Sequence, residues 1–216
     1  MSWLITPRQP VPAVIGKPFG GGYFAGYISH TADGVATHAL IVAPRATGAT
    51  GTGYTLTTDL SWATAQTEVP NTFSTFDGVA NTAAMVTAGI AGYPAAQFCV
   101  GLSIGGFNDW YLPSRYELAI AYVNLKPTTQ INTTSPGINP YAVPPRQTVY
   151  TTTIPAQTNV SEFRDAGSEA FATEIHWTST QGSANNANRV TFFNGGETGF
   201  SKLTPHLVRA FRRIAL

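Results

Sequence analysis

The chain has 216 residues, 43% of them hydrophobic, which is enough for one well-buried core without division into several domains. Asp, Glu, Lys and Arg make up only 11%, against roughly 25% in a typical soluble domain, so Thr, Ser, Asn, Gln and backbone must wet the surface. A formal charge of +1 argues against nucleic acid or anionic lipid as a partner, and the single cysteine, Cys99, excludes an intrachain disulfide.

The start, from Met1 to Arg8, has neither a basic leader with a long apolar core nor a cleavage signal, and no apolar run elsewhere reaches membrane-spanning length. The expectation is a product that begins in the cytoplasm where it is made and does not insert into a membrane. Pro7, Pro10, Pro12 and Pro18 remove backbone donors and fix dihedrals, so residues 1–18 read as an extended arm. With Trp3, Pro7, Pro10 and Pro12 as its anchoring residues, the arm either docks on a neighbour or lies on its own domain.

From Gly20 to Ile28 and from Thr37 to Pro44, aromatic and β-branched residues bounded by Gly and Pro predict two strands joined near Asp33 and Gly34. The Gly- and Thr-rich piece from Thr47 to Thr58 has no periodicity and reads as a surface loop. Asp77 is an N-cap candidate, Val79, Ala83 and Val86 form an apolar stripe at helical spacing, and Gly89 is placed to end the helix. A second helical piece runs from Pro94 through Cys99. Ser114 and Glu117 fit a capping box, after which Leu118, Tyr122 and Leu125 line one helix face.

Residues 126–160 hold six prolines among Thr and Asn and predict a long irregular excursion of the kind that packs on itself or contacts a subunit. Short strands and turns follow: Ile175 to Thr180, then Arg189 to Phe193 with a turn at Gly195 and Gly196, then Val208 to Ile214. The last segment stays open, because Leu207, Ala210, Phe211 and Ile214 also satisfy helical spacing.

The run Gly105-Gly-Phe-Asn-Asp-Trp-Tyr-Leu-Pro-Ser-Arg-Tyr-Glu-Leu118 resembles the hallmark of the Lcl C-terminal-like family, Gly-Gly-aromatic-x-Asp-Trp-x-Leu-Pro-x-x-x-Glu-Leu. The stretches from His176 to Thr180, from Arg189 to Gly196 and from Val208 to Ile214 follow in the family's order. Gly20 to Tyr27, with Ala39 to Pro44, is similar to versions found in tailed phages and prophages, so the likeness runs from about residue 19 to the end. It implies one α+β, C-type-lectin-like domain over 19–216, with helices packed on twisted antiparallel strands and the Val208 segment as a closing strand. Asp109, Trp110, Pro113, Glu117, Trp177 and Arg209 read as its structural motif, with Asp109 satisfying backbone donors in a tight turn and Trp110 burying a large area.

Catalytic alternatives are thin. Gly101 to Gly105 matches Gly-x-Ser-x-Gly around Ser103, but a nucleophile elbow needs a strand before it and a helix after it, and neither is expected here. Cys99 has no second cysteine beside it and sits on an apolar helix face, the setting of a buried structural thiol. Glu174 and His176 share a strand face but make only two metal ligands, and no Cys/His cluster suits structural zinc. The expectation is a protein without cofactor or metal.

The resemblance then implies a non-enzymatic virion protein, tail- or fibre-associated, that binds a host surface glycan or protein. Asn185, Asn186, Asn188, Arg189, Thr191 and Phe193 are its candidate contact residues, since amide, guanidinium and aromatic groups hydrogen-bond or stack on sugars and protein loops. The arm would join it to other virion proteins, with particle symmetry making it a homo-oligomer. The alternatives are a decoration or connector subunit with a purely assembly role and, more weakly, a hydrolase.

Overall fold

The computed structural model describes residues 10–51 and 58–216, so Trp3, Pro7 and part of the Gly- and Thr-rich piece lie outside the described residues. The fold is mixed α+β, with two antiparallel sheets and few helices among the described residues. In the larger sheet β1 (Pro18–Phe19) and β2 (Gly22–Ile28) lead to β3 (His38–Val42), and β3 pairs in turn with the C-terminal β8 (Phe211–Ala215). A two-residue strand, β4 (Ala142–Val143), adds to the free end of β2. The smaller sheet is β5 (Ile175–Gln181), β6 (Asn186–Thr191) and β7 (Glu197–Ser201), in that order.

The expected opening hairpin is present, and its connection is tied by Asp33, whose Oδ1 accepts from Val35 N–H and from the Ser29 hydroxyl. β3 is almost continuously apolar because both of its faces are covered. Ala39 and Ile41 enter one core cluster with Phe24, Trp62, Trp110 and Trp177, while Leu40 and Val42 enter a second with Tyr111, Leu118, Tyr122 and Phe211. The closing segment is a strand, since each of its residues from Phe211 to Ala215 has a partner on β3. Pairing across the sheet, which periodicity within a segment does not report, decides between the two readings of that stretch.

Among the described residues there are four α-helices, α1 (Arg45–Gly48), α2 (Gly78–Thr87), α3 (Pro94–Val100) and α4 (Arg115–Leu125). The α2 cap is as expected, with Asp77 Oδ1 accepting from Ala80 N–H, and Gly89 follows with φ of 103°. Its buried face is a correction. Asn81, Thr82 and Met85 point inward, whereas Val79 and Val86 are exposed. The inward polar groups are matched: Asn81 bonds Ser74 and the Ser179 hydroxyl, and Thr82 Oγ1 accepts from Leu112 N–H. The Thr47 piece is corrected too, because Gly48 to Gly51 are buried and Ala49 bridges Arg209.

The stretch 126–160 is irregular apart from β4, yet it is stitched to α4. Lys126, buried at the helix end, donates from Nζ to Gln130 O, Asn132 Oδ1 and Pro155 O, and Tyr122 OH donates to the same Asn132 oxygen at 2.6 Å. At the other end of the chain, Val11 and Ile15 pack against the core, and Gly16 N–H donates to Phe24 O. Pro10 is exposed and Pro12 half-buried, so this part of the arm lies on its own domain.

Candidate functional site

Of the motif residues, Trp110 and Trp177 belong to the same core cluster. Trp110 is buried and donates from Nε1 to Phe107 O, while Trp177, fully buried, donates to Leu60 O. Pro113 O accepts from Ser179 N–H, joining the motif to β5. Glu117 completes the capping box of α4 and reaches further: Oε2 accepts from Ser114 N–H and Gly78 N–H, and Oε1 from Tyr111 OH at 2.8 Å. Burial pushes its carboxyl pKa up, against the pull of those donors and of Arg213. Arg209 is equally enclosed, donating to Ala43 O and to Glu169 and stacking on Phe171 at 4.7 Å. Asp109 differs from expectation, because its carboxylate receives Arg212 Nε, in an ion pair near the surface, instead of turn N–H groups.

The outer sheet disperses the six candidate contact residues. Asn185 and Asn186 sit exposed at the β5–β6 turn, where Asn185 O accepts from Lys202 N–H. Asn188 is committed, with Nδ2 donating to Thr180 O and its carbonyl accepting from the Thr178 hydroxyl. Thr191 ends β6 and donates its N–H to Gly196 O. Phe193 is exposed, but beside a separate hollow with Thr128, Gln157 and Thr173.

Arg189 is the exception, and it has neighbours that sequence reasoning missed. In register with Trp177 on one side and Thr198 on the other, it lays its guanidinium 4.6 Å from the centre of the Phe200 ring. His206 stands 5.4 Å from that ring and 4.8 Å from Trp177, held by mutual backbone bonds between His206 and Leu60. Arg189 has no hydrogen-bond acceptor and no carboxylate among the described residues; its Nε and His206 Nε2 are both buried without a partner. Burial, then the charge of Arg189, brings the His206 pKa down to about 4, so the ring is neutral at pH 7. Alternation along β7 from Thr198 signals that Phe200 shares a face with Arg189; nothing local points to His206.

This arrangement can donate two terminal N–H groups to an oxygen-bearing ligand while offering an exposed aromatic edge. The hydrolytic alternatives are placed differently. Ser103 is exposed on the turn after α3 with no histidine bonded to it, and Cys99 is fully buried with its thiol pKa pushed far up by burial. His176 is turned into the core against Phe171 and Phe192, with Nδ1 facing Glu174 O at 3.3 Å, and the described residues contain no group of three His, Cys, Asp or Glu fit for a metal. A further polar cluster joins the opening hairpin to α2 and β8: Arg213 bonds Asp77 at 2.9 Å and His30 Nε2 at 3.1 Å, and the His30 and His38 rings lie 4.4 Å apart. Compared with protein-family models and with curated proteins, the chain matches none.

Proposed function

We propose that the chain is a non-enzymatic virion protein of a phage or prophage, tail- or fibre-associated, that contacts a host surface glycan or protein through its outer sheet. The observation that carries this reading is the cluster of Arg189, Phe200 and His206, where a guanidinium stacked on an exposed aromatic ring has no hydrogen-bond or ion-pair partner among the described residues. Binding energy at interfaces concentrates in arginine and aromatic residues of this kind. The finer fold reading, a C-type-lectin-like domain of the Lcl C-terminal-like sort, rests on the run from Gly105 to Leu118; antiparallel sheets with few helices are compatible with it. Each copy offers a shallow contact, and repetition as a homo-oligomer under particle symmetry turns weak contacts into avidity. The arm of residues 1–18, with Trp3, Pro7, Pro10 and Pro12 as its anchoring residues, is proposed to join the protein to other virion components.

Labelled protein is expected to bind host cells saturably. Arg189→Ala and Phe200→Ala should each weaken that binding about tenfold while shifting stability by less than about 1 kcal/mol. A wild-type protein without saturable binding, or variants that bind as well as wild type, would sink the reading. A second reading, a decoration or connector subunit, is favoured by Ile131, Ile138, Val149 and Ile154, which stand exposed along the long excursion. Incorporation into particles by a protein that shows no cell binding selects it.

A further inference from the structure

Between α4 and residues 137–150 of the excursion lies a cavity of about 230 Å³. Clefts that hold drug-sized ligands run to roughly 300–1,000 Å³, so this one suits a smaller guest. Its walls are largely apolar, with Ile120 and Val123 contributed by the helix and Val143 and Pro144 by the excursion.

The polar groups around it divide into committed and uncommitted. Asn139 is committed: Nδ2 donates to Tyr116 O, and Oδ1 accepts from Tyr141 N–H and Ala142 N–H. Arg146 is committed only through Nε, which donates to Gly137 O at 3.1 Å. Its guanidinium lies 5.1 Å from the centre of the Tyr150 ring, and that stacking with the Nε bond holds the fork in one orientation. The two terminal nitrogens have no acceptor, and no carboxylate pairs with them, among the described residues. Asn124 spends Nδ2 on Ala25 O at 2.8 Å, and its side-chain oxygen has no donor among the described residues.

We infer that this cavity binds a small apolar monocarboxylate with a hydrogen-bond donor on its α-carbon, an α-hydroxy or α-amino acid whose side chain is branched or a single ring. The side chain fills the space between Ile120, Val123, Val143 and Pro144. The carboxylate takes the two free N–H groups of a pre-oriented guanidinium, the geometry in which arginine outperforms a point charge. The α-hydroxyl or α-ammonium donates to Asn124 Oδ1. No residue of β6 or β7 lines the cavity, so the inference stands apart from the outer-sheet reading.

Calorimetric titration and protein NMR with leucic acid, leucine, phenyllactate, isocaproate and isocaproamide test it. At least one of the α-substituted acids should bind saturably, isocaproate should bind more weakly for want of the α-donor, and isocaproamide should not bind measurably. Whichever of leucic acid and leucine binds more tightly identifies the α-group. Arg146→Met, which keeps Tyr150 covered, should weaken binding about tenfold or more. Ligand methyls should show NMR contacts with the methyls of Ile120, Val123 and Val143, a readout that needs no variant. The inference is overturned if no acid of the panel binds at millimolar concentration, if isocaproamide matches isocaproate, if Arg146→Met keeps full affinity, or if the ligand contacts map elsewhere.

Discussion

Glu117 shows how one side chain can serve several elements. Its carboxylate closes the cap of α4, accepts from Gly78 N–H at the start of α2, and receives the Tyr111 hydroxyl beside Arg213. Removing an acceptor that satisfies buried donors costs the desolvation of every group left unpaired. Glu117→Ala is therefore expected to destabilise the protein by about 3 kcal/mol or more in urea unfolding, and a loss below about 1 kcal/mol, the value of a cap alone, would show that the other two bonds contribute nothing. The capping box was legible from Ser114 and Glu117 in the sequence. The remaining partners were not, because Gly78 lies 39 positions away and is brought there only by folding. Arg189 follows the same pattern: its candidacy came from residue type, while Phe200 and His206 came from register and a distant backbone pairing.

At the scale of elements, turns and caps with local chemistry were the readable part. Asp77 caps α2, Pro94 opens α3, and the Gly195–Gly196 turn separates β6 from β7. Gly195 has φ of +73°, and a Cβ there would come within 2.3 Å of the Tyr122 ring, so both backbone and space require glycine. Gly195→Ala should displace the turn from α4, lowering the melting temperature by several degrees and raising amide exchange in β6 and β7; unchanged exchange in those strands would contradict the close approach. The stripe on α2 misled because apolar spacing marks a candidate inner face only when polar residues lack partners indoors. Asn81 and Thr82 have them, from Ser74, Ser179 and Leu112, and so Val79 and Val86 face outward.

Across the whole molecule, histidine burial sets the response to acid. His176, enclosed by Phe171 and Phe192, has its pKa brought down to about 3 chiefly by burial; His30 and His206 are each brought to about 4. The unfolded chain binds these protons near pH 6.5 and the folded chain does not, so their contribution is complete above that pH and is lost as pH falls toward 3–4. Burial raises the carboxyl pKa of Glu117 and Glu197, which acts in the opposite direction. Comparison of variants isolates the histidine part: His176→Phe should lose less stability than wild type between pH 7 and 4.5, by on the order of 2 kcal/mol, and parallel stability curves in urea would refute it. What the sequence determined by itself was local: turn and cap positions, the strands of the opening hairpin and the helix after Ser114, while the α+β class was an expectation carried by the family resemblance. The tertiary structure alone decided the strand identity of the closing segment, the inner face of α2, the company of Arg189 and the cavity beside Arg146. Each of these depends on pairing or burial between residues far apart in the chain, and such contacts leave no periodic trace within either segment.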